Sequence, residues 1–504
     1  MGEAKRKALI RSRELVALDT FGGRVHVEWD PAAAVTPLGQ LPFFIEFLKV
    51  SGLFDAFVED GPLTFASNNA PDKRDVLGTL VLSILAGHYR YAHISAIRHD
   101  AITAPLLGCT KFVSEDSARR ALNHIEEAEG VAWLDRHLHR TTRPLLATPW
   151  VCDLDATVKP LYGKQEGAVI GYNPQKPGRP SHGYHSAFMA TTRLALHIDV
   201  AAGNRTAPLH AMPGFWRWFD QLKPNERPSL LRGDVAFGNE AVMSEAEARH
   251  QPYLYKLRLT AKVKRLVRDL FAKARWHDAG QEWEGTETTL TLTGWCRARR
   301  VVVLRRALRG DVTLSEKSPQ AELAFIEAEV PTVRYEYAVL VTSTSHEILA
   351  LAPLYRDCAD GENNYDELKN QWGWGGFTTH DLKRCQLMAR LVALVYNWWN
   401  LFVRLANPHK HHEAITSRPL LLHGVATQTK HANQTRLTIT STHAKSEHVQ
   451  AILTDLAQFL KSLTVTAEQL TDAQRLYAIL KRAFAKFMLA TAGPPGVLAL
   501  EHGV

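Results

Sequence analysis

Residues 150–163, WVCDLDATVKPLYG, decide how this chain is read. Apolar and polar residues alternate with a period of two, as in a strand with one face on a core. A loop rich in Gly, Pro, Lys and Arg follows (GYNPQKPGRPSHGYH, 171–185), then SAFMATTRLALHIDVAAG (186–203) as one or two more strands. Beyond it, GFWRWFDQL reads as a short helix, SLLRGDVAF as a strand, NEAVMSEAEARH as a helix and YLYKLRL as a strand. The order β-β-β-α-β-α-β predicts an α/β fold, a mixed sheet flanked by helices.

Upstream, residues 1–145 read as mostly helical after a strand-like RVHVEW. LPFFIEFLKVSGLFDAFV and RDVLGTLVLSILAGHY have helical apolar spacing, and SEDSARRALNHIEEAEGVAWLDRHL opens on a cap at Ser114. Arg119 and Arg120 on that helix suit either a DNA contact or a plain surface. Downstream, residues 260–345 interrupt the sheet pattern with basic, β-rich sequence. A helix around 354–371 follows, then the apolar stretch LMARLVALVYNWWNLFVRL (387–405), which Arg390 and Arg404 mark as a core helix, not a membrane span. The expected organisation is a mostly helical N-terminal region (1–145), a mixed-sheet core in two parts (146–259 and 346–406) separated by the basic β-rich insertion (260–345), and a C-terminal region (407–504).

With 504 residues, 45% hydrophobic and 22% charged, the chain has the composition of a soluble multidomain protein. The net charge of +8 is modest, but it is clustered. Residues 256–275 carry eight Lys/Arg against one Asp, and 297–309 carry six Arg, Arg299 and Arg300 among them, with no acid. Two such runs suit a polyanion, and duplex DNA is the most charge-dense candidate. Five scattered cysteines without a C-x-x-C pair argue against a disulfide framework or structural zinc. The N-terminus is basic with no apolar core, so a cytoplasmic protein without membrane contact is expected. HKHH (409–412) lacks a defined ligand geometry, WGWGGF (372–377) is no phosphate loop, and no G-x-S-x-G elbow is present.

The carboxylates stand at telling points. Asp153 and Asp155 share one face of the first strand, and the alternation of side chains does not separate them. Asp234 closes LLRGD, where the chain leaves the carboxyl edge of the sheet. Glu362 begins the helix after the insertion. Each aspartate alone reads as well as a turn former. Together, two aspartates from strands and a glutamate from a helix form a hard oxygen set for Mg²⁺ or Mn²⁺, whose charge offsets their mutual repulsion.

DLDATVKPLYGKQEGAVIGYNPQKPGRPSHGYH (153–185), LLRGDVAFGNE (230–240) and YRDCADGENNYDELKNQWGWGGF (355–377) resemble the three blocks of DDE transposases from bacterial insertion sequences. The match is to the branch with an RNase H-like catalytic domain, a β-rich insertion and a Tyr-Arg-Glu-Lys signature, in order over roughly residues 20–490. The resemblance implies Asp155 as the first acid, two before Thr157, with Asp234 second and Glu362 third, spaced by 79 (234 − 155) and 128 (362 − 234). Tyr355, Glu362 and Lys369 fall into the signature's register. Its arginine position holds Cys358, and Arg356 stands beside the tyrosine instead. The resemblance further implies Tyr355, Arg356 and Lys369 as phosphate contacts, with Lys176 and Arg179 as further DNA contacts from their loop. It offers Trp283 and Trp295 as insertion-domain aromatics for a flipped base, and leaves Asp360, Asp366 and Glu367 as solvated or capping acids. It implies a homodimer on the terminal inverted repeats of its own element, with metal-dependent cleavage and transfer to target DNA. The alternatives are a metal-dependent nuclease without strand transfer, or a DNA-binding relic that has lost catalysis.

Overall fold

The computed structural model describes residues 16–30, 33–65, 67, 69–173, 176–205, 210–308, 335–356, 359–432, 434–466 and 469–490, with only the backbone at 359–363 and 489–490. Strands β1 (Val16–Thr20) and β2 (Gly23–Val27) form an exposed hairpin. β3 (Val35–Thr36) is a short strand ahead of the N-terminal helices.

The sequence from 150 to 256 folds into the expected strands β4 (Val151–Pro160), β6 (Pro180–Met189), β7 (Leu194–Ala202), β8 (Leu230–Gly233) and β9 (Tyr253–Lys256), with a short β5 (Val169–Ile170) that the pattern did not show. The helix Met212–Asp220 follows β7, and the helix Glu240–Ala248 links β8 to β9. β6 starts inside the loop read from sequence, at Pro180, so the strand pair is longer than the pattern suggested. The basic stretch adds β10 (His277–Asp278), β11 (Trp283–Leu290), β12 (Arg299–Ala307) and β13 (Tyr335–Thr342). All ten strands form one sheet in the order β10-β11-β12-β13-β9-β8-β4-β6-β5, with β7 on β6. β4, β8 and β9 are mutually parallel, β6 runs antiparallel to β4, and β7 antiparallel to β6. β13 pairs with β9 through Leu340↔Lys256, so the inserted strands continue the central sheet. At the far end of the chain, β14 (Val425–His431) pairs with β15 (Gln434–Thr440) and with β3, joining N- and C-terminal regions.

The apolar stretch near 390 becomes the central helix Leu382–Ala406, capped by Asp381, whose carboxylate accepts the Arg384 N–H at 2.8 Å. It is buried around nearly its whole circumference, as a helix apolar on all sides must be. Arg390 survives there because Asp135 lies 3.0 Å away. Gln386 and Asn397 hydrogen-bond the backbone of Val200 and Ala195 on the edge strand β7 (2.6–3.0 Å), which closes that edge. On the opposite side the helix meets the N-terminal region, with Phe44 5.5 Å from Trp399 and Phe57 5.6 Å from Trp398 between ring centroids. The run that opens at Ser114 breaks at Ile125 into two helices, Glu115–His124 and Glu127–Leu146, the second capped by Glu126. Among the described residues, no helix is long and apolar enough to cross a membrane.

Two buried histidines make this core acid-sensitive. His137 is 3.0 Å from Asp60, yet burial outweighs that carboxylate and pulls the imidazole down to about 4. His185, on β6, falls to about 4 by burial, with His210 and His197 adding to it against Asp199. Both folded values lie below the ordinary histidine value near 6.5, so below it the unfolded chain binds the extra proton first. Stability is therefore present above about pH 6.5 and falls as pH drops towards 4, by roughly 1 kcal/mol per histidine at pH 5.5. A denaturation series from pH 7.5 to 5 should show this loss, shrinking in His185→Gln. A flat profile would contradict the burial.

Candidate active site

The site is built where β8 ends beside the middle of β4. Their register pairs Asp153 with Arg232 and Leu154 with Gly233, and one residue further on each strand stand Asp155 and Asp234. This distinguishes the two aspartates that the strand pattern left equivalent. Asp153 is buried in a bidentate pair with Arg232 (2.5 and 2.8 Å), and the same guanidinium donates to the Leu354 carbonyl. Asp155 is half-buried on β4 just past the point where β8 ends, and its carboxylate accepts the Ala156 N–H at 2.6 Å.

Asp234 closes its strand in a tight turn, its carboxylate accepting the Ala236 N–H at 2.8 Å. Glycine is required just before it, since a Cβ at Gly233 would meet the Phe237 ring at 2.8 Å. The Asp234 side chain reaches solvent, but protein atoms crowd its sides, and this desolvation raises its pKa above the usual carboxylate range against Lys256.

The stretch opened by residue 354 forms two helices, Ile348–Arg356 and Ala359–Gln371, and Cys358 lies outside the described residues between them. The second helix packs against β4 and reaches β6. Its Tyr365 is buried, hydrogen-bonded to the Ser186 hydroxyl on β6, and burial together with Asp155 and Asp234 drives its phenol well above the ordinary value. Lys369 faces Asp155 as well; burial lowers its pKa, opposed by Asp155 and Asp366. Glu362 sits on this helix one turn before Tyr365 and two turns before Lys369, on the same face. Its side chain lies outside the described residues. Among the described residues, no three or more His, Cys, Asp and Glu are gathered as a metal cluster. Asp155 and Asp234 are hard oxygen donors of the kind that Mg²⁺ or Mn²⁺ takes, and Glu362 lies on the helix that also carries Tyr365 and Lys369.

Lys256 is a cation of the site that reading the sequence missed. It ends β9 beside the strand that Asp234 closes, and its ammonium lies 5.8 Å from the Tyr355 ring centroid. The available signal is its position in YLYKLRL, the last residue of the strand next to LLRGD. Beyond Asp155 along β4, a cavity of about 190 Å³ is lined by Thr157, Lys159, Tyr184, Lys369, Asn370 and Trp374. Lys159 at its floor is buried, donates to the Gly376 carbonyl, and is pulled by burial down to about 8.

Other residues singled out in the sequence sit elsewhere. Arg356 donates to the carbonyls of Ala279 and Gly280 (3.1 and 3.2 Å), tying the helix end to the insertion. Trp283 is buried in the core with Arg306 over its ring at 5.1 Å, and Trp295 is half-buried against Arg299 at 5.1 Å. Arg299 is 4% exposed and clamped by Glu240 and Glu247 (2.6 and 2.8 Å), and Arg300 pairs with Glu287. Together with Arg297–Glu247, Arg305–Glu284 and Arg306–Glu336, these pairs neutralise five of the six arginines of 297–309. Much of that run's charge is therefore held in ion pairs, because neighbouring strands and the helix Glu240–Ala248 supply acids the local sequence lacks. The other run does present cations: Lys262, Arg265, Arg268 and Lys273 are exposed on the helix Ala261–Lys273. Arg119 pairs with Asp116 at 2.7 Å on its own helix.

Glu367, read as solvated or capping, is buried. It accepts from Trp372 (3.1 Å), His411 (2.8 Å) and the Ala414 N–H (3.0 Å), so it caps the helix Ala414–Leu421 from inside the fold. His411 of the HKHH run is thereby occupied as a structural partner. Asp366 is exposed and accepts from Asn370, as a surface acid. Lys176 and Arg179 are exposed on the loop after β4, both against Tyr162.

The family model described as Transposase DDE domain group 1 matches residues 66–461, most of the chain. No curated protein matches the sequence. Among solved structures, the piggyBac transposase synaptic complex with hairpin DNA, determined by cryo-EM, aligns at a TM-score of 0.39 and 10% identity, covering 89% of this chain and 86% of that one. That likeness is too distant to bear on the site.

Proposed function

The chain belongs to the transposase DDE domain group 1 family, and from that premise we propose that it binds the terminal inverted repeats of an insertion sequence, frees their 3′ ends and joins them to target DNA. The observation that carries this reading is the placement of Asp155 and Asp234 one residue beyond paired positions of adjacent parallel strands, under the helix that bears Glu362 and Lys369. The strand order β7-β6-β4-β8-β9, antiparallel then parallel, supports an RNase H-like core, and the strands of 260–345 fit the β-rich insertion of the Tyr-Arg-Glu-Lys branch.

Asp155, Asp234 and Glu362 would hold Mg²⁺ or Mn²⁺. Such ions supply Lewis acidity that favours attack by water or a hydroxyl and eases departure of the displaced oxygen. The chain's own cations do the rest. Lys256 and Lys369 flank the acids and offset phosphate charge, and Tyr355, next to Lys256, borders the path of the strand. In the first step a water oxygen bonds to the phosphorus at the repeat boundary and the P–O3′ bond breaks, leaving a 3′-hydroxyl on the element. In the second, that hydroxyl attacks a target phosphodiester and the target's own 3′ oxygen leaves. A homodimer would present both ends of the element.

The test is cleavage and joining on a labelled duplex carrying the flanking inverted repeat, with Mg²⁺ or Mn²⁺. Cut strands together with joined products longer than the input are expected. Cutting without joined product would replace the reading with a nuclease, and binding without cutting in either metal would make the chain a DNA-binding relic.

A further inference from the structure

The loop between β4 and β6 carries an unusual clasp. Tyr162, two residues beyond the end of β4, is 69% exposed, yet two cations converge on its ring. The Arg179 guanidinium lies 4.8 Å and the Lys176 ammonium 5.2 Å from the ring centroid, and Lys176 also donates to the Tyr162 hydroxyl. The turn that brings both cations to one ring is fixed locally. The Asn173 side chain accepts the Lys176 N–H at 3.0 Å, and the Lys176 carbonyl accepts the Arg179 N–H at 3.1 Å. Tyr172 on the same loop is 82% exposed.

We infer that Tyr162 is a stacking platform for an unpaired nucleotide of bound DNA, with Lys176 and Arg179 taking the phosphates on either side. The inference rests on the DNA reading above and adds the kind of DNA and the residue that grips it. A large aromatic left open to water between two cations matches a nucleic-acid chain, in which flat apolar bases alternate with anionic phosphates. A duplex hides its base faces in the stack, so only an unpaired or terminal base offers one to Tyr162. Position agrees. At about 3.3 Å per strand residue, Pro160 lies roughly 17 Å from Asp155, about five nucleotides along a strand. The clasp therefore stands within about five nucleotides' reach of the acids.

The test is metal-free binding of the full chain to a short single-stranded oligonucleotide and to a duplex of the same sequence, by fluorescence anisotropy, with 2-aminopurine in the single strand reporting stacking. Tyr162→Ala should weaken single-strand binding roughly 5- to 100-fold, the range a lost base–aromatic stack gives. It should abolish 2-aminopurine quenching and leave duplex binding within about 2-fold. Tyr162→Trp should restore both signals. Unchanged single-strand affinity in Tyr162→Ala, or no rescue by tryptophan, would overturn the platform while leaving the DNA reading intact. Failure of the wild type to bind either DNA form would overturn both.

Discussion

Asp155→Asn and Asp234→Asn should each fold, bind repeat DNA as tightly as wild type, and cut it on the order of 10³-fold more slowly. The asparagines keep the shape, and at Asp234 the side-chain oxygen still accepts from Ala236 and preserves the turn. What goes is a negative oxygen donor at the candidate metal centre. Metal stabilisation of transition-state charge is worth several kcal/mol, and each 1.36 kcal/mol is tenfold in rate. Single-turnover cleavage beside anisotropy measures both halves of the expectation, and Glu362→Gln belongs in the same series. Asp155→Asn cutting within tenfold of wild type would remove that residue from the centre. Asp153→Asn is the informative contrast, because its cost should fall on stability through Arg232.

Arg232→Met should be the most destabilising single change near the site, by about 3–5 kcal/mol, the usual cost of breaking a buried ion pair from one side. Methionine fills similar space but leaves the Asp153 carboxylate buried without its bidentate partner and takes a donor from the Leu354 carbonyl. Asp153→Leu combined with Arg232→Met should recover most of the loss, since a pair replaced by apolar groups removes the desolvation problem. The shift in denaturant midpoint reads this out. A loss below about 1 kcal/mol in the single variant would show that the pair does not anchor the strand end.

Local patterns were enough for some of this. Alternation in 150–163 predicts β4, and the unbroken apolar character of 387–405 predicts the central helix with Arg390 as its buried exception. What eludes such a reading is set by distant partners. Asp153 and Asp155 differ only through Arg232, 79 residues on, and the arginine run of 297–309 is neutralised by Glu240, Glu247, Glu284, Glu287 and Glu336, none of them inside it. Glu367 looks solvated among Asp366, Lys369 and Asn370, and only the approach of His411 and Ala414 buries it. Lys256 is one lysine among many until β9 is laid against β8.

The unbroken run from β10 to β5 limits how this molecule can be dissected. Excising 260–345 would strip β13 from β9 and bare the main-chain donors and acceptors of Leu254–Lys256 to solvent. An edge of that kind, beside apolar Leu254 and Tyr255, is a template for chain-to-chain pairing. A shortened catalytic fragment would therefore tend to self-associate, and an inactive truncation would report a lost neighbour as readily as a lost DNA contact.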